Sequence, residues 1–148
     1  MSKFRYGYQK IVDLKTSETK QAEWLLSTSV GKLQSEEALL EKLFQERTSW
    51  SERLQDASSS AISLSELVVI QEYVDYLDIC ISRKHIDVKQ AQREVESSRS
   101  FLSVKMKDEK VWQKSKEHAF DRFRAVMQVK EQNELDEIAT ARFMFSAQ

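Results

Sequence analysis

The sequence predicts an all-α fold in which two long helices pack as an antiparallel coiled-coil hairpin and the second helix overhangs the first. Composition is the first reason. There is no proline, the only glycines are Gly7 and Gly31, and 32% of residues are charged. That suits long helices better than a globule with many turns. The second reason is a seam in steps of three and four: Leu67, Ile70, Val74, Leu77, Ile81, Lys84, Val88, Ala91, Val95, Ser98, Leu102. Its phase continues through Lys105, Glu109, Trp112, Lys116, Ala119, Phe123 and Val126. Apolar residues repeating every seven positions among charges mark a supercoiled helix. The third reason is a run of serines, Ser58-Ser59-Ser60, that interrupts the pattern once.

Taken in order, residues 4–15 open with an aromatic cluster, Phe4, Tyr6 and Tyr8, around Gly7. Glycine costs a helix about 1 kcal/mol against alanine, so Gly7 is expected to fray or kink the helix start. Helix one, about 9–57, carries a weaker seam: Ala22, Leu26, Ser29, Leu33, Glu36, Leu40, Leu43, Arg47, Trp50, Leu54, Ala57. Val30 and Phe44 widen it. Gly31 lies inside it, where a close helix approach is one explanation.

The turn is expected over 58–63. Serine hydroxyls compete for backbone hydrogen bonds and end helical periodicity. Ser63 then caps helix two, about 64–140, with Glu66 reaching back to the cap amide and Ile62 and Leu67 placed as a hydrophobic staple. A short loop between long helices makes an antiparallel hairpin, here read as one coiled-coil domain over 1–148. Seam partners should have numbers summing to about 120 or 121 in this hairpin. Leu54 then meets Leu67, Leu43 meets Leu77, Leu40 meets Ile81 and Leu33 meets Val88. Leu26 meets Val95, Glu36 falls beside Lys84, and Tyr8 reaches Trp112. Lys15 would face Lys105 and Val12 would face Glu109, so looser packing is expected there. A second loop at Ser97–Ser100 would give three helices instead, but the seam passes through it unbroken. A parallel dimer would carry the serine break in both strands.

Helix two continues past Trp112 to about Ile138 or Arg142, some 30 residues or ~45 Å beyond helix one. Ala119, Phe120, Phe123, Val126 and Met127 are expected to form an apolar face with no partner in the chain, which points to an external one.

The net charge is −1, which gives no support to a nucleic-acid or membrane role for the whole chain. Residues 1–33 and 99–130 are net basic while 34–98 and 131–148 are net acidic. The basic run Lys105, Lys107, Lys110, Lys114, Lys116 is interleaved with Asp108, Glu109 and Glu117. It reads either as a solvated surface or as a face docking into an acidic protein cavity. One cysteine, Cys80, precludes an internal disulfide, which suits a reducing compartment. The first fifteen residues lack a signal peptide's apolar run, and no stretch approaches the ~20 apolar residues of a membrane span. A cytoplasmic protein without membrane insertion is expected.

Little in the sequence suggests catalysis. His85 and His118 are far apart, and one cysteine without paired histidines makes no metal site. No glycine-rich phosphate loop exists, and Glu36–Glu37 and Asp108–Glu109 read as helix-surface charge. No cofactor is expected. Val69, Tyr73, Tyr76 and Cys80 could form an exposed stripe that holds a partner, or could simply flank the core.

The ends carry a resemblance. Phe4-Arg5-Tyr6 with Gln9-Lys10-Ile11-Val12-Asp13-Leu14-Lys15, and Lys130-Glu131-Gln132-Asn133-Glu134-Leu135-Asp136-Glu137-Ile138-Ala139, resemble the opening and closing motifs of the flagellar export protein FliJ. Tyr8 departs from the usual aliphatic residue and Asn133 from a frequent lysine. The resemblance implies a non-enzymatic, stalk-like coiled coil of the flagellar type III export apparatus. Its implied partners are the hexameric export ATPase, the cytoplasmic part of the export-gate membrane protein, and export chaperones. Its implied location is the cytoplasm, peripherally at the membrane of the flagellar base. By segment match, the gate-binding residues are Tyr73, Leu77, Cys80 and Lys84, of which Leu77 and Lys84 are also seam positions. The implied ATPase-ring contacts are Phe4, Tyr6, Trp112, Phe120, Phe123, Met127, Leu135 and Ile138. A general coiled-coil scaffold or secretion chaperone without an ATPase partner is the alternative.

Overall fold

A computed structural model describes residues 3–147. They form two helices, α1 (Gln9–Ser58) and α2 (Leu64–Ser146). The described chain is 92% helical, and α1 and α2 pack against each other as a helical hairpin. Serine chemistry makes the turn. The hydroxyls of Ser58 and Ser59 donate to the carbonyls of Gln55 and Asp56, and Ser60 donates to Asp56. The last carbonyls of α1 are thereby satisfied without further helix. Ser63 Oγ accepts the Glu66 amide at 3.4 Å and caps α2. Among the described residues the reciprocal bond from the Glu66 carboxylate is not formed, so the cap is single. Ile62 and Leu67, the staple positions, are both half-buried.

The chain divides into two compact units, one of residues 21–103 and one of residues up to Lys20 with those from Val104 onward. In the first, Val74, Leu77, Ile81, Val88, Ala91 and Val95 are buried, and Leu77 is only 2% exposed. Their partners Leu26, Leu33, Leu40, Leu43 and Leu54 are half-buried. Burying one such side chain contributes about 1.5–3 kcal/mol. Lys84 Nζ lies 2.9 Å from Glu36, as the expected register requires. The Ser29 and Ser98 hydroxyls, both seam positions, bond at 2.9 Å. Arg47 bonds Asp78 across the helices. Gly31 is exposed and an added Cβ would meet nothing within 4 Å. The close helix approach considered for it is therefore absent.

The second unit corrects three expectations. Packing does not loosen at Val12, which is 3% exposed. Nor do Lys15 and Lys105 oppose each other unrelieved. Lys15 reaches Asp108 at 2.8 Å, and Glu18 bridges Lys15 at 3.7 Å and Lys105 at 3.3 Å. Side chains lean toward the N-terminus of their own helix, so in an antiparallel pair the tips of long residues meet partners a few positions further along. Thr19 is buried as well; its hydroxyl donates to its own Lys15 carbonyl at 3.1 Å and lies 3.3 Å from the Lys105 carbonyl of α2. Stepping back from Ala22 by three and four reaches Thr19, Lys15 and Val12, so Thr19 continues the phase that sets Lys15 and Val12 against α2.

The third correction concerns the far part of α2. Val126 is not a seam residue; it is 66% exposed, and Met127 is half-buried instead. A straight helix has 3.6 residues per turn, and a strict heptad phase drifts off its face unless a partner helix imposes supercoiling. The helix also runs to Ser146 rather than about 140, since neither glycine nor proline stands in its path.

Candidate docking surfaces

Near the turn, in the unit of residues 21–103, an aromatic ladder crosses both helices. Trp50 and Tyr73 meet edge to face at 4.9 Å, and Tyr76 lies 6.1 Å from Tyr73. The Arg53 guanidinium sits 4.6 Å over the Trp50 ring. Tyr73 Oη donates to Glu46 Oε1 at 2.5 Å. That bond, with burial second, raises the Tyr73 phenol above its ordinary value. Tyr76 is raised too, chiefly by its hydrogen bond with Cys80 one turn on. Tyr76 is 55% exposed and Val69 64%, while Tyr73 and Cys80 are half-buried. The stripe expected on helix two thus exists at the surface. Its continuation onto α1 through Glu46, Trp50 and Arg53 escaped sequence reading, although the hairpin register brings Trp50 beside Tyr73.

Of the residues assigned to gate binding, Tyr73 and Cys80 reach this surface. Leu77 does not; it is the largest fully buried side chain. Lys84 is half-buried and bonded to Glu36 and Asp87, the largest causes of its raised pKa. Two of the four therefore hold the hairpin together. Exposed Ile79 and Ile86, seven residues apart and so near one face, add apolar surface that the seam pattern did not reveal.

The other surface belongs to the second unit. Residues before α1 lie along α2. Phe4 packs edge to face on Phe120 at 5.2 Å and against Phe123 at 5.4 Å. The Tyr6 hydroxyl bonds Ser115 Oγ at 2.7 Å, and Tyr8 meets Trp112 at 5.9 Å. The expectation that Phe120 and Phe123 lack a partner within the chain is therefore corrected. Rings at the chain start cover part of that face because apolar rings gain by leaving water wherever chain length allows. This aromatic strap has two groups of touching rings, Phe4 with Phe120 and Phe123, and Tyr6 with Tyr8 and Trp112. Past it, Met127 is half-buried, Leu135 is 60% exposed and Ile138 53% exposed, and every described residue from Gln128 on is exposed.

His85 is exposed and its ring meets Phe44 at 5.8 Å; His118 is exposed. Among the described residues no group of three or more His, Cys, Asp or Glu side chains is placed to hold a metal. No helix among them is long and apolar enough to cross a membrane.

Two long helices packed as a hairpin, the second longer than the first, define a coiled-coil protein. The family described as "Flagellar FliJ protein" matches residues 4–148. The chain belongs to that family, and so to the proteins of flagellar export. Among solved structures it is similar to CT670 from Chlamydia trachomatis, described as a YscO homolog. The TM-score is 0.65 with 17% identity, over 99% of both chains. At that identity the likeness is one of fold. No curated protein sequence matches the chain.

Proposed function

We propose that this chain is a non-enzymatic stalk and adaptor of the flagellar type III export apparatus. The overhanging part of α2, with the strap of Phe4 and Tyr6, enters the export ATPase hexamer and promotes its assembly and ATP hydrolysis. The Tyr73–Tyr76–Cys80 stripe, joined by Trp50 of α1, binds the cytoplasmic part of the export gate, and export chaperones dock on the same coiled coil. The chain works in the cytoplasm, held peripherally at the membrane of the flagellar base.

The observation that carries this reading is the stretch from Gln128 to Ser146, helical yet without any covering from α1. A helix polar on most sides and unpaired is marginal in water. A ring bore would supply the missing contacts without locking it. Family membership over residues 4–148 supports the choice of ring.

The test uses ATP hydrolysis by the purified export ATPase beside a pull-down on the cytoplasmic part of the gate. Removing residues 128–148 spares the Phe4 contacts and should abolish stimulation while gate binding persists. Tyr73→Ala should weaken gate binding and cell motility yet leave stimulation intact. Normal stimulation by the truncated chain would favour a scaffold or chaperone without an ATPase partner. Loss of both activities in Tyr73→Ala would remove the separation of the two surfaces.

A further inference from the structure

The overhang has a pattern that reads the same from both ends. Steps of three and four pass through Phe120, Phe123 and Met127, then Lys130 and Glu134, then Ile138, Ala141 and Phe145. One stripe is thus apolar, cationic, anionic and apolar again. The charges around it lean in the same sense. Arg122, Arg124 and Lys130 precede the midpoint, with Asp121 and Glu131 against them; Glu134, Asp136 and Glu137 follow it, with Arg142 against them.

These charges are unspent. In the hairpin, Lys15, Lys32, Arg47 and Lys84 all pair with carboxylates across the helices. On the overhang, among the described residues, Lys130, Glu131, Glu134 and Glu137 form no ion pair. Three apolar members of the stripe are open too, with Ile138 at 53% exposure, Phe145 at 82% and Phe120 at 41% despite Phe4; Phe123 and Met127 are half-buried.

We propose that the overhang pairs antiparallel with the overhang of a second copy of this chain. The two-fold axis passes between Lys130 and Glu134. Lys130 then faces Glu134 of the second copy, Met127 faces its Ile138, and Phe120 receives its Phe145. Two-fold symmetry makes each contact twice. The paired length is 26 residues, or ~39 Å. A parallel pair would set Lys130 on Lys130 and Glu134 on Glu134. Opposite charges within an otherwise apolar seam select one orientation and register. The pairing does not rest on the export-ATPase reading. If the overhang also enters a ring, the second copy and the ring compete for the same stripe.

The test is the mass of the full-length chain by sedimentation equilibrium over a range of micromolar concentrations, with circular dichroism to verify helicity. The wild type should move with concentration toward twice its 17.3 kDa. Lys130→Glu sets glutamate against Glu134, and Glu134→Lys sets lysine against Lys130, twice in each pair. Each variant alone should associate about tenfold more weakly, or less, given the usual strength of exposed charge pairs. An equimolar mixture of the two restores both attractions and should recover the two-chain mass. A wild type that stays at the one-chain mass overturns the proposal. So does a wild type no tighter than either variant, which is the result a parallel pair would give. A mixture no tighter than its components overturns it as well.

Discussion

Lys84 Nζ lies 2.9 Å from the Glu36 carboxylate, and both side chains are about one-fifth exposed within the seam. The pair marks register, because a shift by one heptad would set Glu36 against Leu77 or Ala91 and Lys84 against Ser29 or Leu43. Lys84→Leu alone strands Glu36 in the seam and should lower the melting temperature clearly. The double variant Glu36→Leu with Lys84→Leu should recover that loss or exceed it, since apolar replacement of an ion pair is often neutral or stabilising. The pH dependence follows from the raised Lys84 pKa. The folded state holds the proton more tightly, so this stabilisation is full below pH 10.5 and fades as pH rises through the higher folded value. Thermal melts of the three chains between pH 7 and pH 12 check both statements.

Gly31→Ala should stabilise the protein by about 1 kcal/mol, the helix propensity difference. The site is exposed, its φ is not positive, and the new methyl meets nothing. Urea denaturation of the two chains measures the gain. A loss of stability would mean that the glycine serves a contact made only with a partner.

Phe4→Ala removes two ring contacts, on Phe120 and Phe123. Aromatic pairs contribute about 0.5–1.5 kcal/mol each beyond area burial. Chymotrypsin should cut after Phe120 and Phe123 faster in the variant, with helicity preserved. Phe4→Leu should recover part of the protection, because it keeps apolar cover.

Tyr73 should ionise later than an ordinary tyrosine, because its hydroxyl donates to Glu46. An ultraviolet alkaline titration should show a late component above pH 10, and Tyr73→Phe should remove Tyr73's share of it. The sign for stability is that of a raised pKa. The contribution is full below pH 10 and lost as pH climbs through the folded value. Glu46→Gln should bring the late ionisation earlier while leaving the Trp50–Tyr73 ring contact in place.

Sequence alone determined the helices, the turn and the register. Each of these rests on local or periodic chemistry. The seam residues from Ala22 to Ala57 and from Leu67 to Phe123 are all buried or half-buried, because one face of a helix in a hairpin must leave water. Ser58 to Ser63 act through bonds to carbonyls and an amide within four residues, which a linear reading can see. The Glu36–Lys84 pair followed from loop length alone.

Tertiary structure decided what periodicity cannot express. Phe4 lies before the first helix and has no phase, so its seat on Phe120 and Phe123 depends on how an irregular segment meets α2. The ladder from Arg53 through Trp50 to Tyr73 needs side chains of both helices. The relief of Lys15 and Lys105 by Glu18 and Asp108 depends on side chains leaning along their own helices. Beyond Phe123 no partner helix holds the heptad phase, and Met127 rather than Val126 is the half-buried residue. A repeat in sequence fixes which face of a helix is apolar; the contacts actually made fix where that face points.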